Sequence, residues 1–240
     1  MTEAVYYQDS YLKEIDATIT KIKGDMIELD RSIFYPLGGG QPGDTGWIED
    51  ENGQRQTIID SRKGIAHGDI LHQLESDRHG FEPGQSVKIG IDWDRRYCHM
   101  KMHTAMHLLG SLVPVPVTGG SVGAVKSRLD FNLGEHKLDK EELTRAINKL
   151  IEAGHEVIFD SITEQELDEK PDLVRTMSVQ PPRGVGDIRM VRVKSVDYQP
   201  CGGTHVNNIA EIGRLRISKI ENKGRQNRRV HIVFDPTGNH

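Results

Sequence analysis

The sequence has little with which to make disulfides. Its 240 residues hold two cysteines, Cys98 and Cys201, too few for a disulfide framework and suited to a reducing compartment. It also lacks any apolar run near the ~18 residues of a membrane span, so no membrane partner is expected. The opening MTEAVYYQDSYLKE has neither the basic region nor the apolar core of a secretory signal, and a cytoplasmic location is the expectation. Basic surplus is missing too. A net charge of −5 argues against a general polyanion binder and restricts nucleic-acid contact to a local patch.

What is present reads as a soluble chain in two parts. Residues 1–92 are short alternating segments broken by turns, such as EIDATITKIKGDMIELD, GDTGWIEDENGQRQTIID and QSVKIGIDW, the texture of a small β-barrel or sandwich. From residue 93 the pattern changes to DRRYCHMKMHTAMHLLGSLV, a predicted helix with Asp94 as N-cap and apolar positions at Met102, Ala105, Met106 and Leu109. A second helix is expected over DKEELTRAINKLIEAG, capped by Asp139, with Glu142 at the capping-box position and Gly154 as its stop. Its stripe of Leu143, Ala146, Ile147, Leu150 and Ile151 needs a surface to cover. The β-branched runs HEVIFDSIT, IRMVRVKSV, GRLRISKI and RVHIVF offer a sheet. The fold class is therefore α+β: a β-rich unit over 1–92, then an α+β domain with an antiparallel sheet over 93–240.

Two short motifs carry candidate chemistry. In HTAMHLL, His103 and His107 are four apart, so on a helix their imidazoles share a face and can converge on one ion. His99, a further four residues back, shows how readily histidines recur at that spacing by chance. QPCGGTHV adds Cys201 and His205, held close by a short Gly-rich turn. Three imidazoles and a thiolate match the donor preference of zinc, one Zn2+ per chain. Four protein ligands favour a closed structural site and three plus water an open one. Spacing leaves that choice open, although the domain has enough apolar periodicity to fold without a metal staple. Thr104 follows His103 where an H-E-x-x-H protease has its glutamate, so zinc proteolysis is not expected.

Taken together, HTAMHLL and CGGTHV resemble the zinc motif pair of the alanyl-tRNA synthetase editing domain. FYPLGGGQPGDTG, Phe34–Gly46, resembles the Gly-rich signature of the medium-length AlaX proteins, which are free-standing alanyl-tRNA editors. The resemblance covers nearly the whole chain, including RLDF at Arg128–Phe131 and the late KGRQNRR. It implies an N-terminal β-barrel, a zinc-bearing editing domain, and a trans-editing hydrolase that deacylates alanine tRNA mischarged with serine or glycine. It also implies zinc ligation by His103, His107, Cys201 and His205. Gly38, Gly39, Gly40 and Gln41, with Asp44, would confine the aminoacyl group, and the partner would be the acceptor stem and 3′ end of alanine tRNA. One departure stands out: Gly119, in VTGGSVG, occupies a position where the synthetase domain commonly has glutamine.

The chemistry is coherent on its own. Ester hydrolysis needs a positioned water, stabilisation of the oxyanion and a discriminating pocket. Zinc is expected to anchor the substrate and position the water, and no catalytic residue is assigned. Accepting serine while rejecting alanine requires a partner for the hydroxyl, for which Thr104, Thr204 and Gln41 are candidates. The basic run Lys219, Lys223, Arg225, Arg228 and Arg229 reads as a solvated hairpin tip on charge alone. Beside a tRNA-end pocket, Lys223, Arg225, Arg228 and Arg229 become expected phosphate contacts. The competing expectation is a tRNA-binding module with a purely structural zinc, and a homodimer is compatible with either.

Overall fold

The computed structural model describes residues 1–134, 137–177, 181, 183–184 and 186–236. The chain divides into two compact units, Met1–Tyr97 and Cys98–His240. It is a mixed α/β protein with one closed six-stranded barrel, antiparallel sheets of four and three strands, and one two-stranded pair. No helix among the described residues is long and apolar enough to cross a membrane.

The strands of the N-terminal unit are β1 (Glu3–Ala4), β2 (Glu14–Lys23), β3 (Met26–Leu29), β4 (Arg31–Ser32), β5 (Gly46–Asp50), β6 (Arg55–Lys63), β7 (Ile70–Leu74) and β8 (Ser86–Ile91). Six of them close a barrel in the order β2-β3-β7-β6-β5-β8, while β1 pairs in parallel with β4. Gly24 (φ 61°) turns β2 into β3, and Gly53 (φ 81°) turns β5 into β6, at the KGD and DENG signals of the sequence. Alternating residues fill the interior, among them Ile19, Ile27, Leu29, Ile48, Ile58 and Ile89, each at most 1% exposed. Burial of each such side chain contributes roughly 1.5–3 kcal/mol.

A buried ion pair locks this unit. Arg96 is fully buried, and its Nε donates to Asp44 Oδ2 at 2.8 Å while Nη2 reaches the same oxygen. The guanidinium also donates to the carbonyls of Ser10 and Ile33. Tyr35 N–H donates to Asp44 Oδ2 at 2.6 Å, and Asp44 N–H returns a bond to Tyr35 O. The loop from Tyr35 to Asp44, which contains the glycine run, is thus closed at its base.

Helix α1 (Trp93–Leu112) begins at the expected change of texture. Its first N–H groups are satisfied by Asp92, whose carboxylate accepts from Arg95 N–H and whose carbonyl accepts from Arg96 N–H. Asp92 therefore replaces the expected Asp94 as the cap, because Asp94 already lies inside the first turn. Met102, Ala105, Met106 and Leu109 are all buried.

In the C-terminal unit the remaining elements are β9 (Val117–Ser121), β10 (Lys126–Asn132), α2 (Lys140–Ala153), β11 (Val157–Ile162), α3 (Glu164–Glu169), β12 (Ile188–Val193), β13 (Asp197–Pro200), β14 (Leu215–Asn222) and β15 (Asn227–Phe234). Asp139 caps α2 by accepting from Glu142 N–H, and Gly154 ends it at φ 65°. The four runs expected to share one sheet are divided between two, β14-β15-β10-β9 and β11-β12-β13. β15 pairs with β14 and β10, β12 pairs with β11 and β13, and at Leu215 the outer edge of β14 is bonded by Asn148 of α2 where a strand of the other sheet would have to pair.

Helix α2 packs on β14 through Leu143, Ile147 and Ile151, with Ala146 and Leu150 half-buried. Asn148, a polar residue on the buried face, donates to Leu215 O at 2.7 Å and accepts from Leu215 N–H at 3.0 Å. Its amide supplies the open edge of β14 with the rung that a further strand would give.

Candidate metal centre

Two elements of the C-terminal unit converge here. Helix α1 presents His103 and His107 one turn apart, and the loop leaving β13 presents Cys201 and His205. One donor atom from each lies within 4.8 Å of the others. Cys201 Sγ is 3.5 Å from His103 Nε2 and 3.3 Å from His205 Nε2, and the His103 and His205 rings are 4.4 Å apart. All three histidines are buried and Cys201 is partly so. This group can hold a metal ion.

Hydrogen bonds outside the cluster fix which nitrogens face it. His107 Nδ1 donates to Asp197 Oδ2 at 3.0 Å, which turns Nε2 inward. Gln199 Nε2 donates to the same oxygen at 2.7 Å, and Arg175 Nε stands 3.6 Å from Oδ1. His205 Nδ1 is held by Thr104 Oγ1 at 3.1 Å. The Thr104 hydroxyl donates its one proton to Met100 O at 2.9 Å, so it can only accept from His205 Nδ1–H, leaving Nε2 as the donor to an ion. The cysteine loop is held from behind: Arg189 Nη1 donates to the carbonyls of Cys201 and Gly203 at 2.6 and 3.1 Å.

The electrostatics suit a cation. Burial raises the Cys201 thiol, but the imidazoles of His103, His205 and His107 around it outweigh burial and hold the group well below its ordinary range, as a thiolate. Burial and the neighbouring His103 push His205 well down, toward the neutral ligand form. For His107, burial favours the neutral ring, yet its hydrogen bonds to Asp197 and Cys201 raise it to about 10. A proton on His107 balances the thiolate, and a divalent ion would take its place.

The other residues singled out in the sequence fall as follows. Thr104 and Thr204 are at most 1% exposed. Since the Thr104 hydroxyl is committed to Met100 and His205, it orients the His205 ring and has no proton for a substrate hydroxyl. In the N-terminal unit, Gly38 and Gln41 exchange both backbone hydrogen bonds, with Gly39 at φ 57° and Gly40 at φ 81° between them. Positive φ at both central residues is the type I′ signature, and this turn accounts for the glycine run. Gln41 is fully buried, and Asp44 is 1% exposed. Asp44 pairs with Arg96, so its carboxylate anchors the loop where the sequence suggested a substrate contact. Gly119 lies on β9 opposite Asp130. A Cβ there would meet Asp130 Oδ2 at 3.5 Å, an ordinary contact, so nothing local enforces the glycine.

Residues 188–231, which include Cys201 and His205, match the family described as Threonyl and Alanyl tRNA synthetase second additional domain. Residues 3–95 match tRNA synthetases class II (A). The alanyl-tRNA editing protein AlaX-M of Methanosarcina barkeri is 38% identical over 98% of this chain and 99% of its own length. The chain belongs to the AlaX-M family. The AlaX-M protein of Saccharolobus solfataricus is 35% identical over 98% of this chain and all of its own. The alanine–tRNA ligase of Thermococcus kodakarensis is 33% identical over 92% of this chain but only 24% of the ligase.

Strand alternation divides the basic segment that the sequence offered as a phosphate contact. Arg229 is bound through Nε and Nη2 to Asp130, at 2.8 Å each. Lys223 lies 3.4 Å from Glu221, and Lys219 pairs with the same carboxylate. Arg228 donates to the carbonyls of Gly224 and Asn227, and Arg225 is exposed. The supporting residues Asp197, Gln199 and Arg189 escaped the sequence reasoning. A signal for two of them exists: Asp197 and Gln199 share one face of β13, and Cys201 follows at the same two-residue spacing just past its end.

Proposed function

We propose that this chain is a zinc-dependent deacylase that hydrolyses the ester of alanine tRNA mischarged with serine, and also with glycine, in the cytoplasm. The observation that carries the proposal is the four-donor cluster, with its histidine tautomers set by Asp197 and Thr104, in a chain of the AlaX-M family. Relatives named as alanyl-tRNA editing proteins and as an alanine–tRNA ligase support alanine tRNA as the partner.

His103, His107, Cys201 and His205 would hold one zinc ion, which suits imidazole and thiolate donors and supplies Lewis acidity toward the amino and carbonyl groups of an aminoacyl ester. Asp197 and Gln199 hold His107 in register, Thr104 holds His205, and Arg189 holds the loop that carries Cys201. The Gly38–Gln41 turn offers backbone of fixed contour to the aminoacyl group, and Asp44 holds its loop through Tyr35 and Arg96. Gln41 and Thr204 are the side chains proposed to pair with a seryl hydroxyl. In the reaction, water adds to the ester carbonyl, the bond from the acyl carbon to the ribose oxygen breaks, and that oxygen takes a proton. Lys223, Arg225, Arg228 and Arg229 are the candidates that the sequence offers for contact to the tRNA backbone, two of them, Lys223 and Arg229, being already paired with Glu221 and Asp130.

One observation favours a second reading: four protein donors converge, the ligand number of closed structural zinc sites. Such a protein would bind tRNA and hydrolyse nothing. Incubation with seryl-, glycyl- and alanyl-tRNA(Ala) separates the two. The deacylase releases serine and glycine faster than the esters decay alone and spares alanine, whereas equal decay with and without protein refutes it.

A further inference from the structure

The four-stranded sheet of the C-terminal unit has two unlike faces. Residues at matched register point to the same side, and one side carries Leu129, Phe131, Val230, Ile232 and Ile217, all buried. The opposite side is built in rows. Lys126 and Arg216 flank Val233, Arg128 and Lys219 flank His231, and Asp130 and Glu221 flank Arg229. Five cations thus face two carboxylates, a surplus of three positive charges on one sheet face of a chain whose net charge is −5. Gly119 and Ser121 extend the rows onto β9, where Gly119 adds no side-chain bulk.

The centre of this face is paired and the rim is open. Asp130 ties Arg128 and Arg229 together at 2.7–2.8 Å, so one carboxylate holds two guanidinium groups in place. Lys126, Arg216 and Lys219 are exposed. Among the described residues, no carboxylate lies within ion-pair distance of Lys126 or Arg216, and Lys219 pairs with Glu221 alone. Arg228, by contrast, is registered with Phe131 and Asn222 and so sits on the other side of the sheet. The basic run that looks continuous in sequence cannot act as one patch.

We propose that this charged sheet face docks the phosphate backbone of RNA, with Lys126, Arg216 and Lys219 as its principal contacts, while the hairpin tip of Arg225 and Arg228 contributes little. Charge complementarity selects the occupant: the face is positive within an acidic protein, and it offers separate guanidinium and ammonium groups on three neighbouring strands, a sequence-independent grip. The inference rests on the proposed function only for the identity of the RNA, alanine tRNA.

The test compares the intact chain with the triple variant Lys126→Gln, Arg216→Gln, Lys219→Gln and the tip variant Arg225→Gln, Arg228→Gln. Binding of fluorescently labelled, uncharged tRNA(Ala) is followed by anisotropy across a salt series. Each phosphate contact contributes about 0.7–0.9 to the slope of log K against log salt. The triple variant should bind at least tenfold more weakly and lose about 2 from that slope, with its thermal melt unchanged, while the tip variant tracks the intact chain. Equal affinity and slope for the triple variant overturn the proposal, as does a loss confined to the tip variant. Competition by polyglutamate as effective as by tRNA also overturns it, in favour of an acidic protein partner. Deacylation of seryl-tRNA is read separately. Hydrolysis with unchanged triple-variant binding sinks the docking face and leaves the deacylase standing, and the converse result does the reverse.

Discussion

Replacing Asp197 with alanine should weaken the metal site without touching a ligand. Its side chain is fully buried, and its Oδ2 accepts from His107 Nδ1 at 3.0 Å and from Gln199 Nε2 at 2.7 Å. Gln199 Nε2 is also 3.2 Å from His107 Nδ1. Without the carboxylate, two N–H donors face each other across that gap. The simplest relief moves the imidazole proton from Nδ1 to Nε2, and that removes the nitrogen aimed at the other donors. Loss of such an outer partner costs about 10–100-fold in metal affinity, or ~1.4–2.7 kcal/mol. Competition between the protein and a chromophoric chelator for zinc gives the number, and the visible spectrum of the cobalt-substituted protein reports whether four donors still bind. Asp197→Asn can still present an oxygen to Nδ1 and should recover most of the loss. Wild-type affinity in Asp197→Ala, with the fold intact by circular dichroism, would show that His107 needs no orienting carboxylate.

Other consequences follow from the N-terminal unit. Asp44→Ala leaves the Arg96 guanidinium buried and unpaired, and urea denaturation should show a loss of about 3–5 kcal/mol; a change under 1 kcal/mol would deny the pair its anchoring role. Gly39→Ala and Gly40→Ala force an L residue into left-handed backbone and should each cost ~1–2 kcal/mol, an effect that disappears if the turn relaxes without strain. Burial holds the His72 imidazole down at about 4, against the weaker pull of its bond to Ile27 O. The neutral ring accepts from Ser32 and donates to Ile27. Because the unfolded chain takes up a proton near 6.5 and the folded one only near 4, His72 leaves stability intact above the first value and erodes it as pH falls toward the second. The erosion should reach about 2 kcal/mol between about pH 7.5 and about pH 5. His72→Gln, which keeps both hydrogen bonds, should remove that slope, and an unchanged slope would assign the acid sensitivity to other groups.

How much of this was readable beforehand depended on distance along the chain. The capped helix α2 and the turns at Gly24 and Gly53 are local, and residue type alone marks them. His103 and His107 are one turn apart and could be paired from spacing, while the donors at Cys201 and His205 needed the residue chemistry of both motifs to be joined to them. Asp197 lies 90 residues from His107 and Asp44 lies 52 from Arg96, so no local pattern connects either pair. The basic run misled for the opposite reason. Its residues are neighbours in sequence, but strand alternation sends Arg228 and Arg229 to opposite faces, and Asp130, 99 residues before Arg229, claims the latter. Thr104 was visible as a polar residue beside a ligand, yet only the bonds to Met100 and His205 reveal which way its hydroxyl is used.

The central claim, that one zinc held by His103, His107, Cys201 and His205 supports hydrolysis of mischarged alanine tRNA, is tested most directly by titrating zinc into the metal-stripped chain while following release of serine from seryl-tRNA(Ala). The account predicts a rate that rises in proportion to added zinc and stops rising at one equivalent per chain. A full rate before any zinc is added, or one equivalent bound with no serine released above the spontaneous rate, would contradict it.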